Sequence, residues 1–219
     1  MQKSSKKLQN YKLSEAFVQC DFTDGFKYID RAGEILNLFV REKKAVPKFQ
    51  MGLGGLIIRD VTENIKELRV SSNTIWVHFV EPKNLGDISN SASSHIENIL
   101  KILKPTIYRR MGWRTYLVRE FGTGSDRDIG DYLSISDQIT KHQFQNLVVS
   151  TKVSGFNARI ELATAKKIDD DTEAALLFDI DISKEITSKP TVKNVLEQIR
   201  TQLRSDELLD GLEGLIKNE

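Results

Sequence analysis

Beyond a polar first dozen residues the chain alternates. Residues 15–23 (EAFVQCDFT) put Ala16, Val18, Cys20 and Phe22 on one side of an extended chain, which predicts a strand. The period then changes. Over 30–44, Ala32, Ile35, Leu36 and Phe39 share one helical face, with Asp30 as the expected N-cap and Arg41, Lys43 and Lys44 at the negative end of the helix dipole. Residues 53–61 and 66–80 read as two strands, the second pausing at Ser71-Ser72-Asn73. Residues 87–103 predict a helix, since Ile88, Ala92, Ile96, Ile99 and Leu103 recur at steps of four, four, three and four before Pro105 stops it. A long strand over 106–121 completes a βαββαβ order, the connectivity of a ferredoxin-like unit.

The second part is less regular. Residues 122–134 read as a Gly/Asp loop leading to a short helix at 134–141. Residues 143–184 read as a three-stranded meander broken at Ser154-Gly155 and at Asp169-Asp170-Asp171. In its middle run Phe156, Ala158, Ile160 and Leu162 oppose Asn157, Arg159 and Glu161. After Pro190, a helical stripe carries Val192, Val195, Leu196, Ile199 and Leu203. Ser205 then caps a final amphipathic helix over 206–217. The expectation is a single α+β domain over residues 1–219, with a ferredoxin-like βαββαβ part (14–121) and a meander plus C-terminal helices (122–219). Its sheet is mostly antiparallel, of about six or seven strands, with helices on one face.

Composition narrows the classes. One Cys in 219 residues excludes a disulfide-stapled scaffold. No run approaches the roughly 18 apolar residues of a membrane span, and MQKSSKKLQNYKLS lacks the apolar core of a signal peptide. The expectation is a soluble cytoplasmic protein with no membrane partner. The net charge of +1 hides a polarity: residues 1–123 hold 20 Lys+Arg against 13 Asp+Glu, and residues 124–219 hold 12 against 18. A basic first part suits an anionic partner, its own acidic remainder, or the acidic part of a second copy.

Catalytic chemistry finds little footing. Asp179 and Asp181 lie two apart in a strand and so share a face, as a carboxylate pair holding a divalent metal for nucleotide chemistry would. The Gly-Ser helix start that accompanies such pairs is missing from the expected window, since Gly124-Ser125 is distant. A solvated strand face, with Phe178, Ile180 and Ile182 turned inward, is the competing reading. Met51-Gly52-Leu53-Gly54-Gly55 precedes a strand, whereas a phosphate loop follows one and opens a helix, so a bulge or close strand approach explains these glycines better. The loop at 122–130 does follow a strand, but its Asp126 and Asp128 would repel a phosphate. His78, His95 and His142 show no metal-ligand spacing, and Cys20 lies on the apolar face of its strand. No catalytic residue, metal site or cofactor is expected.

The segment YRRMGWRTYLVREF (108–121) stands out. Arg109, Arg110, Arg114, Tyr116 and Arg119 interleave cations with a stacking ring, a pattern that binds phosphates and bases. The same arginines would equally pair with carboxylates on neighbouring strands and cover aromatics with their stems. Arg110-Met111-Gly112-Trp113-Arg114-Thr115-Tyr116, Leu177-Phe178-Asp179-Ile180-Asp181 and the helices after Pro190 together resemble a sporadically distributed family of bacterial and archaeal proteins. That family has an R-x-G-x-R-Y strand, a later apolar strand ending in an Asp-x-Asp-like step, and a C-terminal amphipathic helix. Thr115, between Arg114 and Tyr116, departs from the pattern. The resemblance implies no established activity, and sporadic distribution associates such proteins with mobile or defence-linked genes. The functional expectation is a non-catalytic interaction or accessory module of a bacterial oligomeric or multi-protein assembly, with a protein partner or self-association. The alternatives are nucleic-acid or phosphate binding through the Arg/Tyr strand and a metal-dependent nucleotide enzyme using Asp179 and Asp181.

Overall fold

Strand β1 (Lys12–Thr23) buries Ala16, Val18, Cys20 and Phe22 and leaves Glu15, Phe17, Gln19 and Asp21 half-buried, as its alternation demands. Two helices follow, α1 (Lys27–Asp30) and α2 (Ala32–Lys43), then β2 (Lys48–Gly52), β3 (Gly55–Arg59), β4 (Ile65–Val70) and β5 (Thr74–Val80). Helix α3 (Leu85–Leu103) leads into β6 (Ile107–Thr123). The chain closes with β7 (Asn146–Val153), β8 (Phe156–Lys167), β9 (Asp170–Glu185) and α4 (Val192–Leu203). The computed structural model describes residues 11–23, 25–43, 47–123, 146–167 and 170–205, with positions 208, 211 and 214. The expected loop after residue 123, the short helix at 134–141, His142 and most of the tail over 206–217 lie outside the described residues.

Among the described residues the strands make one nine-stranded, mostly antiparallel sheet in the order β2-β3-β4-β5-β1-β6-β9-β8-β7. This overturns the α+β expectation of six or seven strands with a ferredoxin-like first part: the fold is sheet-rich. Two hairpins account for much of the difference. Ser71-Ser72-Asn73 is a turn between two strands, closed by the Ser71 N–H donating to the Thr74 carbonyl at 2.8 Å and the Ser71 hydroxyl donating to Asn73 Oδ1 at 3.0 Å. Residues 48–52, assigned no element from the sequence, pair with β3 from Lys48↔Arg59 to Gly52↔Gly55. Asp30, expected to cap a helix, instead ends α1, and α2 starts at Ala32.

Chain contacts divide the protein into two units. The α3 unit comprises residues 15–114 and 183–200. Its sheet face is built from Val18, Leu56, Leu68, Ile75 and Val77, all 0% exposed. The periodic residues of α3 (Ile88, Ala92, Ile96, Ile99, Leu103) are buried as their spacing requires, and the helix packs on β5. Asn84 caps it by accepting from the Asp87 N–H at 2.9 Å. Lys104 ends it in the left-handed region (φ 48°), with Pro105 beyond. The first turns of α4 lie against α3, where the Ser89 hydroxyl donates to Glu197 at 2.7 Å.

The meander unit comprises residues 1–14, 115–182 and 201–219. Phe156, Ala158, Ile160 and Leu162 of β8 are buried on one face, and Phe178, Ile180 and Ile182 of β9 are at most 1% exposed. Tyr11 packs edge-on against Phe178, ring centres 5.2 Å apart. The β7–β8 turn places Ser154 (φ 50°) and Gly155 (φ 82°) both at positive φ, the geometry that matches the twist of a two-residue hairpin. The Ser205 hydroxyl accepts from the Leu208 N–H at 3.2 Å, as a helix cap does. Charge follows the units: the α3 unit holds 19 Lys+Arg against 14 Asp+Glu (+5), the meander unit 13 against 17 (−4). Among the described residues no helix is long and apolar enough to cross a membrane.

Cys20 is 0% exposed in β1, and burial first, with the Asp21 charge second, pushes its thiol from 9.0 up to about 12. The folded chain therefore keeps a proton that the unfolded chain sheds once pH passes 9. This contribution to stability is complete below pH 9 and is lost as pH rises from 9 towards about 12. Thermal melting of the wild type should fall more steeply across that window than melting of Cys20→Ala. In the native protein the thiol should resist a maleimide until denaturant is added. Rapid labelling of the folded protein, or parallel melting profiles, would contradict this burial.

Candidate interaction surface

The sequence-predicted site residues distribute along β6 rather than forming one cluster. Arg109 is exposed, and its Nε donates to the Thr23 hydroxyl at 2.8 Å. Arg110 is half-buried and lies across Gly112, where an added Cβ would stand 3.3 Å from its Nη2 and 3.4 Å from the Ser183 Cβ. Arg114 is exposed and Tyr116 half-buried. Arg119 covers the ring of Tyr11 at 5.9 Å. None of Arg110, Arg114, Tyr116 and Arg119 is without an interaction partner. By strand parity Arg109 points to the side of Met111 and Trp113, and Arg110 and Arg114 to the other.

Asp179 is 5% exposed, so the solvated-face reading does not describe it. Arg159 Nη1 approaches its Oδ2 at 3.9 Å while donating from Nη2 to Glu161 at 2.6 Å. Asp181 is half-buried on the same strand face. Among the described residues no group of three or more His, Cys, Asp or Glu is arranged to hold a metal ion. Of the glycines around the β2–β3 turn, Gly55 serves a close approach: it has φ +133°, and a Cβ there would lie 2.8 Å from the Val70 carbonyl oxygen, whereas Gly52 and Gly54 have open space around them.

Two features of the α3 unit were not legible as sites. The first is an aromatic group on the sheet face of β1, β4 and β5 away from the buried residues. Phe17 stacks on His78 (4.2 Å, 12°) and meets Trp76 edge-on at 5.7 Å, while Arg69 lies 5.9 Å above Trp76. His78 Nε2 contacts Glu15 Oε2 at 2.8 Å. Phe17 and His78 are cross-strand partners, 61 positions apart in the chain. A shallow cleft of about 330 Å³ between α2 and α3 is separate from this group. It is lined by Leu38, Arg41, Ser94, His95 and Asn98, and His95 stacks on Phe39 at 5.5 Å.

The second feature is an apolar rim. Phe49 and Met51 pair with Ile58 and Leu56, both 0% exposed, so they extend the buried face of the sheet outward to its edge strand. There they stay open, Phe49 at 50% and Met51 at 42% exposure. Leu53 at the hairpin tip is 85% exposed, and Phe26 and Ile29 at α1 are 58% and 36% exposed. Tyr28 joins these pieces: its ring is 6.4 Å from that of Phe26, and its hydroxyl reaches the Gly52 and Leu53 carbonyls at 2.9 and 3.1 Å. The sequence signal is the alternation of Phe49 and Met51 in KFQMG, a segment too short beside its glycines to read as a strand of its own. No family model and no curated protein matches the sequence.

Proposed function

We propose that this chain is a non-catalytic interaction module that works within an oligomeric or multi-protein assembly. The observation that carries the reading is the rim of Phe26, Phe49, Met51 and Leu53, four large apolar side chains between 42% and 85% exposed beside an edge strand. Water penalises open apolar surface by about 25 cal/mol per Å². A contiguous patch of this kind marks a binding surface more often than scattered exposed side chains do. The polarity of the two units, +5 and −4, adds a means of orienting a partner.

The test is the size of the particle that contains the chain. Light scattering on the purified protein over a hundredfold concentration range, with chemical cross-linking in its native cells, should find it in particles larger than a monomer. The rim variant Phe26→Glu/Leu53→Glu should shift it towards the monomer with unchanged circular dichroism. A chain that is monomeric by both methods is not such a module.

A further inference from the structure

We infer that the partner at this rim is a second copy of the same chain, joined through antiparallel pairing of β2 with its symmetry mate; this rests on the interaction-module reading. Among the described residues β2 ends the sheet, so alternate peptide groups along Lys48–Gly52 face outward with no described strand beside them. Its sequence, KFQMG, is self-complementary about Gln50. A two-fold axis through that residue sets Gln50 against Gln50, Phe49 against Met51 and Lys48 against Gly52. Like charges never face each other, and Lys48 is already paired with Asp60 at 2.9 Å. Because opposed residues of an antiparallel pair share a face, the two Phe49/Met51 pairs merge into one apolar strip. Leu53 and Phe26 of each copy flank it.

The area is sufficient. Scaling the exposures of Phe26, Ile29, Phe49, Met51 and Leu53 by side chains of about 150–250 Å² leaves on the order of 500 Å² of apolar surface open per copy. Two copies would bury at most about 1,000 Å² from these side chains, the size at which specific interfaces begin, with the paired β2 backbones adding to it. The two-fold arrangement also closes on itself. Pairing β2 with the opposite sheet edge, β7, where Val148 and Val149 are exposed, would be heterologous and prone to open-ended growth.

The register gives a direct test on the full chain. Cys20 is buried, so Gln50→Cys introduces a single accessible thiol. Opposed Cα atoms in such a pair lie about 4.5–5.5 Å apart, within disulfide reach. With a mild thiol oxidant, Gln50→Cys should convert to a covalent dimer at least tenfold faster than Asn73→Cys at the β4–β5 turn. Separately, Phe49→Lys/Met51→Lys should raise the dimer dissociation constant at least a hundredfold by sedimentation, with unchanged circular dichroism, while Val149→Lys leaves it unaltered. A dimer indifferent to the Phe49 and Met51 changes would overturn this interface but leave the module reading standing. So would a wild-type chain that is monomeric when purified yet cross-linked to another protein in cells. Loss of association in Val149→Lys alone would move the contact to β7.

Discussion

Trp113→Ala should destabilise the protein by about 3–5 kcal/mol, a large share of the roughly 5–15 kcal/mol that holds a domain together. Trp113 heads the fully buried side chains and is 0% exposed on β6. Its removal loses both the transfer of the indole from water and the contacts of the cavity walls left behind. Trp113→Phe should lose less than half as much. Among the described residues the buried indole Nε1–H has no hydrogen-bond partner, so phenylalanine sacrifices no bond among them and also removes an unsatisfied donor. Urea unfolding of both variants measures the ratio. If phenylalanine costs as much as alanine, the indole nitrogen is bonded after all.

The second large effect belongs to a residue with no side chain. Gly55→Ala should cost about 2–5 kcal/mol, because it combines backbone strain with an overpacked contact. The residue sits at φ +133°, which an L-residue adopts only under strain, and its Cβ would lie 2.8 Å from the Val70 carbonyl oxygen in the next strand. That oxygen belongs to the β3–β4 ladder, where Val70 pairs with Leu56, so it has little room to yield. Gly54→Ala is the control: nothing lies within 4 Å of the added carbon, and its cost should stay under about 1 kcal/mol. Equal losses at the two positions would remove the close approach as the cause.

What the sequence made legible follows physical range. α3 was readable through its five apolar positions and Pro105, which act within a few turns of one another, while its start at Leu85 behind the Asn84 cap lay outside the range read from the sequence. β1 and β8 were readable because strict alternation has one interpretation. The hairpins were harder. Ser71-Ser72-Asn73 has the chemistry of either a kink or a turn, and only its pairing partners decide which. Strand order was out of reach, because β1 lies between β5 and β6 through contacts tens of residues away. Among the candidate site residues, the sequence identified Arg109, Arg110, Arg114 and Arg119 as unusual. Their engagement with Thr23, Gly112 and Tyr11 depends on the folded backbone. The apolar rim was hidden for the opposite reason: Phe49 and Met51 look like ordinary core residues until the sheet ends beside them.

The divided make-up of the α3 unit sets a timetable for its birth. Ser89 must wait for Glu197, 108 positions later, before its hydroxyl bond can form. At the usual 5–20 residues per second, the ribosome delivers that partner roughly 5–20 s afterwards. Throughout that interval α3 stands without α4, whose Val192, Leu196 and Ile199 are wholly buried in the folded protein. The nascent chain therefore passes through a stage in which α3 still waits for the helix it bonds to, and a holding chaperone has most to protect at that stage.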